Sequence, residues 1–596
     1  MNALTLSPGW VMQATGSLER DSLALNIRQL AYKVEVAMKD VYDLKSVKLP
    51  YLAGSLLKFF ASLVEGPLRG LLTPSLFESA GVNWLRKQKF DETPTHHPIH
   101  FTGQLQTKAS AVPEREWPRK ASKPKGFQFA SVFDFAKAYR DGTTTPEKVA
   151  EKVLDSITAS DTGSTPLKAF IAVNREEVMR QARESTKRFK TRKPLSIFDG
   201  VPVAIKDEID MTPYPTTVGT AFLGKSPAVE DSTVAARLRS AGALLIGKTN
   251  MHEIGINVTG LNPHHGTTRN PYNPNHFTGG SSSGSATAVA SGLVPIAIGA
   301  DGGGSIRIPA SFCGLVGLKA TFARVSEFGA APLDWSVAHI GPLAGSAADA
   351  ALTYALIAGP DPQDPTSLHQ PLPSLKGWDN TNLKGLKLGV YWPWFRHADT
   401  EVVAACEAML KGYEKMGCKI VEIVIPDLEA NRIAHSVTIT SEMAQAMNET
   451  YDEHHKEHGL DVRVNLALAR QFTATDYLTS QRIRTRMIDH FKNAFKQVDM
   501  ILTPTTGIAA PEIKKGALPD GESDLTTTIE IMRFATAANM TGLPAISFPV
   551  GYTQKGLPIG MQVMGKAWDE ANLLRMALAA EQVVERKAPQ VYFKVL

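Results

Sequence analysis

Cysteine is scarce in this chain: three residues, Cys313, Cys406 and Cys418, stand among 596. None forms a C-x-x-C pair, which excludes a disulfide framework and a cysteine zinc site and fits a reducing, cytosol-facing location. Long apolar runs are missing as well. No stretch offers about 18 uninterrupted apolar residues, and the start, MNALTLSPGWVMQ, lacks a basic region followed by an apolar core. Neither a spanning helix nor a secretion signal is expected. Charge of one sign is also lacking: 64 Lys and Arg against 59 Asp and Glu leave a net +5, with no basic run dense enough for nucleic acid. Internal repeats are absent. What remains is a globular chain, 43% apolar, long enough for two to four average domains or one large α/β domain with additions.

Glycine and serine are where the chain concentrates its signal. Two loops bracket the stretch from Gly279 to Thr321. The first, Gly279-Gly280-Ser281-Ser282-Ser283-Gly284, opens an Ala-rich helical pattern that Gly292 closes, because glycine takes the left-handed conformation of a helix exit. A buried-strand pattern follows from Val294 to Ile298. The second loop, Asp301-Gly302-Gly303-Gly304-Ser305, leaves backbone N–H groups free to approach a ligand and reads as an anion cradle. Nine helical residues travel about 14 Å, and a five-residue strand returns about 17 Å. An antiparallel helix and strand would place both loops at one end, with Ser281 and Ser305 as neighbours.

Three segments organise the chain. Residues 1–88 form an arm, with helical periodicity from Leu23 to Met38 and an apolar piece, Tyr51 to Val64, bounded by Pro50 and Pro67. Interrupted by Lys58, that piece is too short to span a bilayer; it can lie in the interface, pack on a second protomer or dock on its own core. Residues 89–126 are rich in Pro, His, Thr and charge without apolar periodicity and read as a linker. From residue 127 helices and strands alternate as in α/β layering. Helices are predicted around 132–141, 146–159 and 233–241, strands at 201–205 and 243–246, and a β-α-β unit over 387–391, 401–416 and 419–425.

Several short motifs match by letter and fail by context. Gly219 to Ser226 satisfies G-x-x-x-x-G-K-S, but a Pro-rich segment precedes it where a phosphate loop needs a strand, and no helical pattern follows. His454 to His458 satisfies H-x-x-E-H, a zinc-peptidase pattern, in what reads as a charged, solvated helix end. His264-His265 has no ligand partner at helical spacing. Gly280 to Gly284 satisfies G-x-S-x-G, which would make Ser282 a nucleophile; the turn-like Asn270 to Phe277 argues against the strand such an elbow requires.

The stretch GGSSSGSATAVASGLVPIAIGADGGGSIRIPASFCGLVGLKAT resembles the signature of the amidase signature family. GVPVAIKDEID, RLRSAGALLIGKTNMHE, DMILTPTTG, GLPAISFPVGY and GLPIGMQVMG extend the likeness from Phe127 to the C-terminus. The resemblance implies an α/β fold with a central mixed twisted sheet covered by helices on both faces. It also implies a Ser-Ser-Lys triad at Lys206, Ser281 and Ser305, and a cis peptide between Gly280 and Ser281. Ser305 would be the nucleophile, Ser281 the proton relay and Lys206 the base, since a serine hydroxyl needs an adjacent base at neutral pH. The amides of Gly302, Gly303, Gly304 and Ser305 would form the oxyanion hole. Ser282 is expected as a supporting donor, and Arg307 as a brace of the second loop. Taken singly, Lys206 can be read as a surface ion pair with Asp207, Ser305 as a helix cap and Arg307 as a surface residue. Ser283 departs from the family, where many members carry Gly.

Within the family, the arm, the segment from Pro426 to Leu478, LTSQRIRTRMIDHFKNAF and RFATAANMTGLPAIS are most similar to the plant-type fatty acid amide hydrolase branch. That likeness implies N-acylethanolamine substrates cleaved to fatty acid and amine, with no metal or organic cofactor. Implied partners are the lipid amide, a cytosol-facing endoplasmic reticulum or plasma membrane touched peripherally by the arm, and a second copy in a homodimer. The rivals inside the family are a general small-amide amidase and an amidotransferase subunit. A nucleotide-dependent regulator and a membrane-docking scaffold are the rivals outside it.

Overall fold

A computed structural model describes residues 41–100, 105 and 111–596. The helical periodicity expected from Leu23 to Met38 lies outside the described residues. Among the described residues, eleven strands form one mixed sheet. In chain order they are β1 (Phe170–Val173), β2 (Pro202–Lys206), β3 (Leu244–Thr249), β4 (Ile296–Ala300), β5 (Val316–Lys319), β6 (Ile340–Ala344), β7 (Lys387–Val390), β8 (Lys419–Glu422), β9 (Met500–Pro504), β10 (Ala545–Tyr552) and β11 (Pro558–Gly565). Across the sheet they run β8-β7-β9-β11-β10-β5-β6-β4-β2-β3-β1. Every residue of β2, β3 and β4 is buried, as expected of strands with helices packed on the sheet. The β-α-β unit read from the sequence forms β7, the helix Thr400–Lys415 and the parallel β8.

Topology brings the two serine loops together. β2 and β4 are parallel neighbours, with Ile205 beside Ile298, so both point their C-terminal ends at the same edge. Helix α4 (Ser283–Ala290) leads into β4 through Ser291 and Gly292, whose φ of +77° is the left-handed exit anticipated for it. The helix runs back along the strand: Ser285 Oγ donates to the Ile298 carbonyl at 3.0 Å and Ser282 Oγ to that of Ala300 at 3.1 Å. The beginning of α4 and the end of β4 therefore coincide, as the length argument requires. A difference lies just upstream. Asn273–Phe277, read as turn-like, is a short strand paired with Arg269–Asn270, its backbone closed into a hairpin by the side chain of Asn270.

The arm docks on the body. Helix α1 (Gly54–Glu65) buries Leu57, Ala61 and Val64 against Leu460, Val464 and Ala467 of α6 (Leu460–Ala469). Arg463 of α6 grips Glu65 through two hydrogen bonds. α2 (Arg69–Ala80) and α3 (Val82–Lys87) follow, and Arg86 of α3 makes a two-toothed bond to Asp476 of α7 (Ala474–Ala494). Residues 89–100, expected as unstructured linker, are strapped along α7. Thr95 N–H donates to the Gln481 carbonyl at 3.1 Å, Arg482 to that of Phe90 at 2.6 Å, and Arg484 to that of His96. Arginines of a neighbouring helix supply the pairing that the segment's own sequence lacks. α7 in turn packs on α5 (Leu428–Ala446), which lies over the second serine loop. No helix among the described residues is long and apolar enough to cross a membrane.

Candidate active site

Lys206 is the last residue of β2, and its side-chain nitrogen is driven into the protein with 1% of the side chain exposed. Nζ lies 2.8 Å from Ser281 Oγ and 3.5 Å from the Ala300 carbonyl. The peptide bond between Gly280 and Ser281 is cis. Ser305 joins them through the backbone: its carbonyl accepts the Ser282 N–H at 3.3 Å, tying the second loop to the first. Ser281 and Ser305 are 2% and 5% exposed. The structure thus brings Lys206, Ser281 and Ser305 to one buried edge of the sheet. The alternative readings of these residues do not survive. Asp207 faces Lys248 at 3.3 Å, not Lys206. The helix after Ser305 starts at Arg307 and takes no side-chain cap.

The second loop is wound around one carboxylate. Asp301 is fully buried and accepts from the N–H groups of Gly304 at 2.7 Å and Ile306 at 3.1 Å, from Arg307 Nε and Nη2 at 3.0 and 2.9 Å, and from Asn539 Nδ2 at 2.9 Å. Burial alone would raise its pKa. The charge and hydrogen bonds of Arg307, the charge of Lys319 and the Asn539 amide outweigh burial and hold it well below the usual carboxylate range. Arg307, itself without exposed surface, directs its remaining N–H groups to the Ala535 carbonyl, Gln562 and Asn539. It is the brace expected, and not a surface residue.

Around that carboxylate the glycines have separate physical reasons. A Cβ on Gly302 would fall 1.6 Å from Asp334 Oδ2, and one on Gly303 would fall 2.8 Å from His435 Cε1. Gly304 has φ +121°, a conformation L-residues avoid. Here the structure corrects one expectation. The Gly304 N–H points at Asp301 Oδ1, so it is not available to a substrate oxygen. The N–H groups of Gly302, Gly303 and Ser305 donate to no described residue and remain open to an acceptor. His435, from α5, fixes the loop from outside. Burial pushes its pKa down to about 4, so the neutral ring donates from Nε2 to the Gly302 carbonyl at 2.8 Å.

Other sequence readings resolve by geometry. Ser282 Oγ donates to the Ala300 carbonyl and accepts the Ala300 N–H at 3.2 Å, which makes it a support for the end of β4 and leaves no room for a nucleophile's role. The extra hydroxyl of Ser283 bonds Thr268 at 3.0 Å. Gly219 to Ser226 has no strand before it and no helix after it, and the Gly219 N–H donates to Asp207, the reverse of a phosphate cradle. The histidines of the H-x-x-E-H match do not form a solvated face: His458 is buried. It and His264 close on Glu253, at 2.6 and 3.2 Å from Oε1. Among the described residues no group of His, Cys, Asp and Glu is arranged to hold a metal ion. Sequence reasoning missed Glu208, Asp334, His435, Asn539 and Gln562. Only Glu208, two residues from Lys206, carried a local signal.

The amidase family model matches residues 149–574. A fatty acid amide hydrolase of Oryza sativa subsp. indica is 42% identical over 588 residues, covering 93% of this chain and 96% of that protein. One from Medicago truncatula is 40% identical over 603 residues, with 95% and 99% covered. Among solved structures, native peptide amidase from Stenotrophomonas maltophilia superposes with a TM-score of 0.68 at 28% identity, covering 78% of this chain and 98% of that one.

Two expectations follow from the geometry. Arg307→Lys keeps the charge but cannot reproduce the planar fork, so kcat should fall about 100-fold as the oxyanion loop loosens, with KM nearly unchanged in steady-state assays. Burial would raise the Glu253 pKa, but the hydrogen bonds and charges of His264 and His458 lower it to about 2 against an ordinary 4.5. Because the folded value lies below the unfolded one, the stabilisation is complete above about pH 4.5 and is lost as pH falls towards 2. Glu253→Gln should flatten the urea midpoint against pH over that window.

Proposed function

The chain belongs to the amidase family and hydrolyses amide bonds, and from that premise we propose that its substrates are fatty acid amides, N-acylethanolamines first among them, cleaved through an acyl-enzyme on Ser305. The observation that carries the chemistry is the buried contact of Lys206 Nζ with Ser281 Oγ at 2.8 Å, on a loop tied to that of Ser305. Neutral Lys206 takes the Ser281 proton while Ser281 takes that of Ser305. The Ser305 oxygen then bonds the acyl carbon, and the amides of Gly302, Gly303 and Ser305 receive the charge that develops on the carbonyl oxygen. The proton returns along the same path to the leaving amine, and water repeats the sequence on the ester.

The choice of a lipid amide rests on two supports. Similarity to the plant fatty acid amide hydrolases runs over 93 to 95% of the chain, beyond the residues matched by the family model. The arm also presents what a lipid substrate needs. α1 buries one face, while Leu56, Phe59 and Leu71 are 57, 61 and 78% exposed. At 12 residues, α1 is about 18 Å long, too short to span but suited to lying in a cytosol-facing membrane surface or against a second copy in a homodimer. A chain carrying about 0.8 kcal/mol per buried methylene partitions into the bilayer and is best received from it.

Peptide mapping after fluorophosphonate treatment should find the label on Ser305, and Ser305→Ala should abolish both label and amide turnover. Label on Ser282, with Ser305→Ala still active, would overturn the assignment. Leu56, Phe59 and Leu71 changed together to Ser should weaken liposome binding and long-chain turnover while a short soluble amide is still hydrolysed. Unchanged liposome binding and chain-length preference in that folded variant would confine the arm to packing.

A further inference from the structure

A carboxylate that the triad does not use stands against its base. Glu208 Oε2 lies 2.5 Å from Lys206 Nζ, with 6% and 1% of the two side chains exposed. The Glu208 carbonyl accepts the Ala331 N–H at 2.8 Å, which pins its backbone. Three oxygens therefore surround Nζ: Ser281 Oγ, the Ala300 carbonyl and Glu208 Oε2. Only the serine oxygen carries a hydrogen it can give away.

We propose that Glu208 is the positioning residue that makes Lys206 a base towards Ser281. This rests on the reading of Lys206, Ser281 and Ser305 given above. A neutral lysine amine has two N–H groups and one lone pair. A carboxylate and a carbonyl can only accept, so they claim both N–H groups, and the lone pair is left facing the Ser281 hydroxyl. On attack, the Ser281 O–H bond breaks as an N–H bond forms on Lys206. The Ser305 O–H bond breaks as the Ser281 O–H bond is restored, and the freed Ser305 pair forms the C–O bond. The resulting ammonium then has three N–H groups for three acceptors, with Glu208 as its counter-charge. Glu208 thus does for Lys206 what the third member of a serine-histidine-carboxylate triad does for its imidazole.

The surroundings disfavour charge on the other acids near this point. Glu208 pairs with Lys206 on its own segment and acts electrostatically on Lys248 of β3 and on Glu327 and Asp334 of the loop before β6, with Glu442 of α5 also acting on Asp334. Burial, reinforced by Glu208 and Glu442, holds Asp334 well above the usual carboxylate range. Burial and the nearby acids do the same to Glu327, and burial raises Glu442. Desolvation also draws Lys248 below the usual lysine range. The neighbours that could compete for the role are thereby disfavoured as charges.

The test is the rate of fluorophosphonate labelling against pH, with the labelled peptide mapped, in wild type, Glu208→Gln and Glu208→Ala. Labelling needs nucleophile activation but no protonation of an amine leaving group, so it reads the base alone. Glu208→Gln keeps an acceptor and removes the charge, so its acid limb should move about one pH unit or more lower. Glu208→Ala loses the orientation, and its plateau should fall about 10- to 100-fold at every pH. Limbs and plateaus matching wild type in both variants would overturn the inference, as would equal losses with an unmoved limb and a lowered Tm, which mark a packing role. If the alanine variant fails to fold, the limb of the near-isosteric Gln variant decides. Label away from Ser305 in the wild type would sink the triad reading itself, a result distinct from Ser305 labelled with Glu208 inert.

Discussion

One buried carboxylate governs the geometry of the active-site loop. Asp301 has no exposed surface and cannot be neutralised without large cost, so the fold must supply donors, and it supplies them from the loop itself, from Arg307 and from Asn539. Hydrogen bonds to a charged group contribute about 1.5–3 kcal/mol each, and removal of a partner from a buried pair costs about 3–5 kcal/mol. The consequence is directional. Backbone that turns inward to serve Asp301 at Gly304 and Ile306 cannot also turn outward, and the amides left without an acceptor among the described residues are those of Gly302, Gly303 and Ser305. The amides open to a substrate oxygen are thus selected by subtraction, through the demands of an anion held by the same loop.

Legibility in the sequence followed the range of the interaction. Ser281 and Ser305 could be brought together on paper because α4 and β4 are contiguous, cancel each other's length and are joined by a glycine exit. Lys206 was reachable through family likeness. Which glycine amides are free was not legible, because all three look alike until Asp301 claims one. His435 and Asn539 lie far along the chain from the loop they hold, in helices whose patterns give no sign of it. The H-x-x-E-H match misled for the same reason: its local letters read as an exposed helix end, yet Glu253, about 200 residues earlier, draws His458 inside. Asn273–Phe277 reads as a turn because Asn and Pro are poor strand formers, and a side chain of the facing strand overrides that preference.

The arm shows the same division between local pattern and long-range use. Its apolar residues recur at helical spacing, but spacing alone does not say which face is buried. α6 decides, taking Leu57, Ala61 and Val64 and leaving Leu56 and Phe59 outside. Monomeric soluble proteins seldom keep a contiguous apolar face exposed, since each such residue forgoes about 1.5–3 kcal/mol of burial. The Arg463–Glu65 and Arg86–Asp476 bonds hold that exposed face at a fixed orientation to the catalytic body.

Burial at the catalytic edge serves chemistry because it acts on the surrounding acids unequally. Asp301, given a guanidinium and backbone N–H groups, stays charged and shapes the loop. Asp334, Glu327 and Glu442 lack such compensation in sufficient measure, and desolvation drives them towards the neutral form. With them disfavoured as charges, the close contact at the lysine is the one with Glu208, at 2.5 Å. A carboxylate so placed has two opposing effects: it aims the lone pair, and it favours the ammonium. On the proposed mechanism the second is tolerated, because the ammonium would form only while negative charge builds on the substrate oxygen beside Gly302 and Gly303. The counter-charge is then needed most at the transition state, where stabilisation accelerates the reaction.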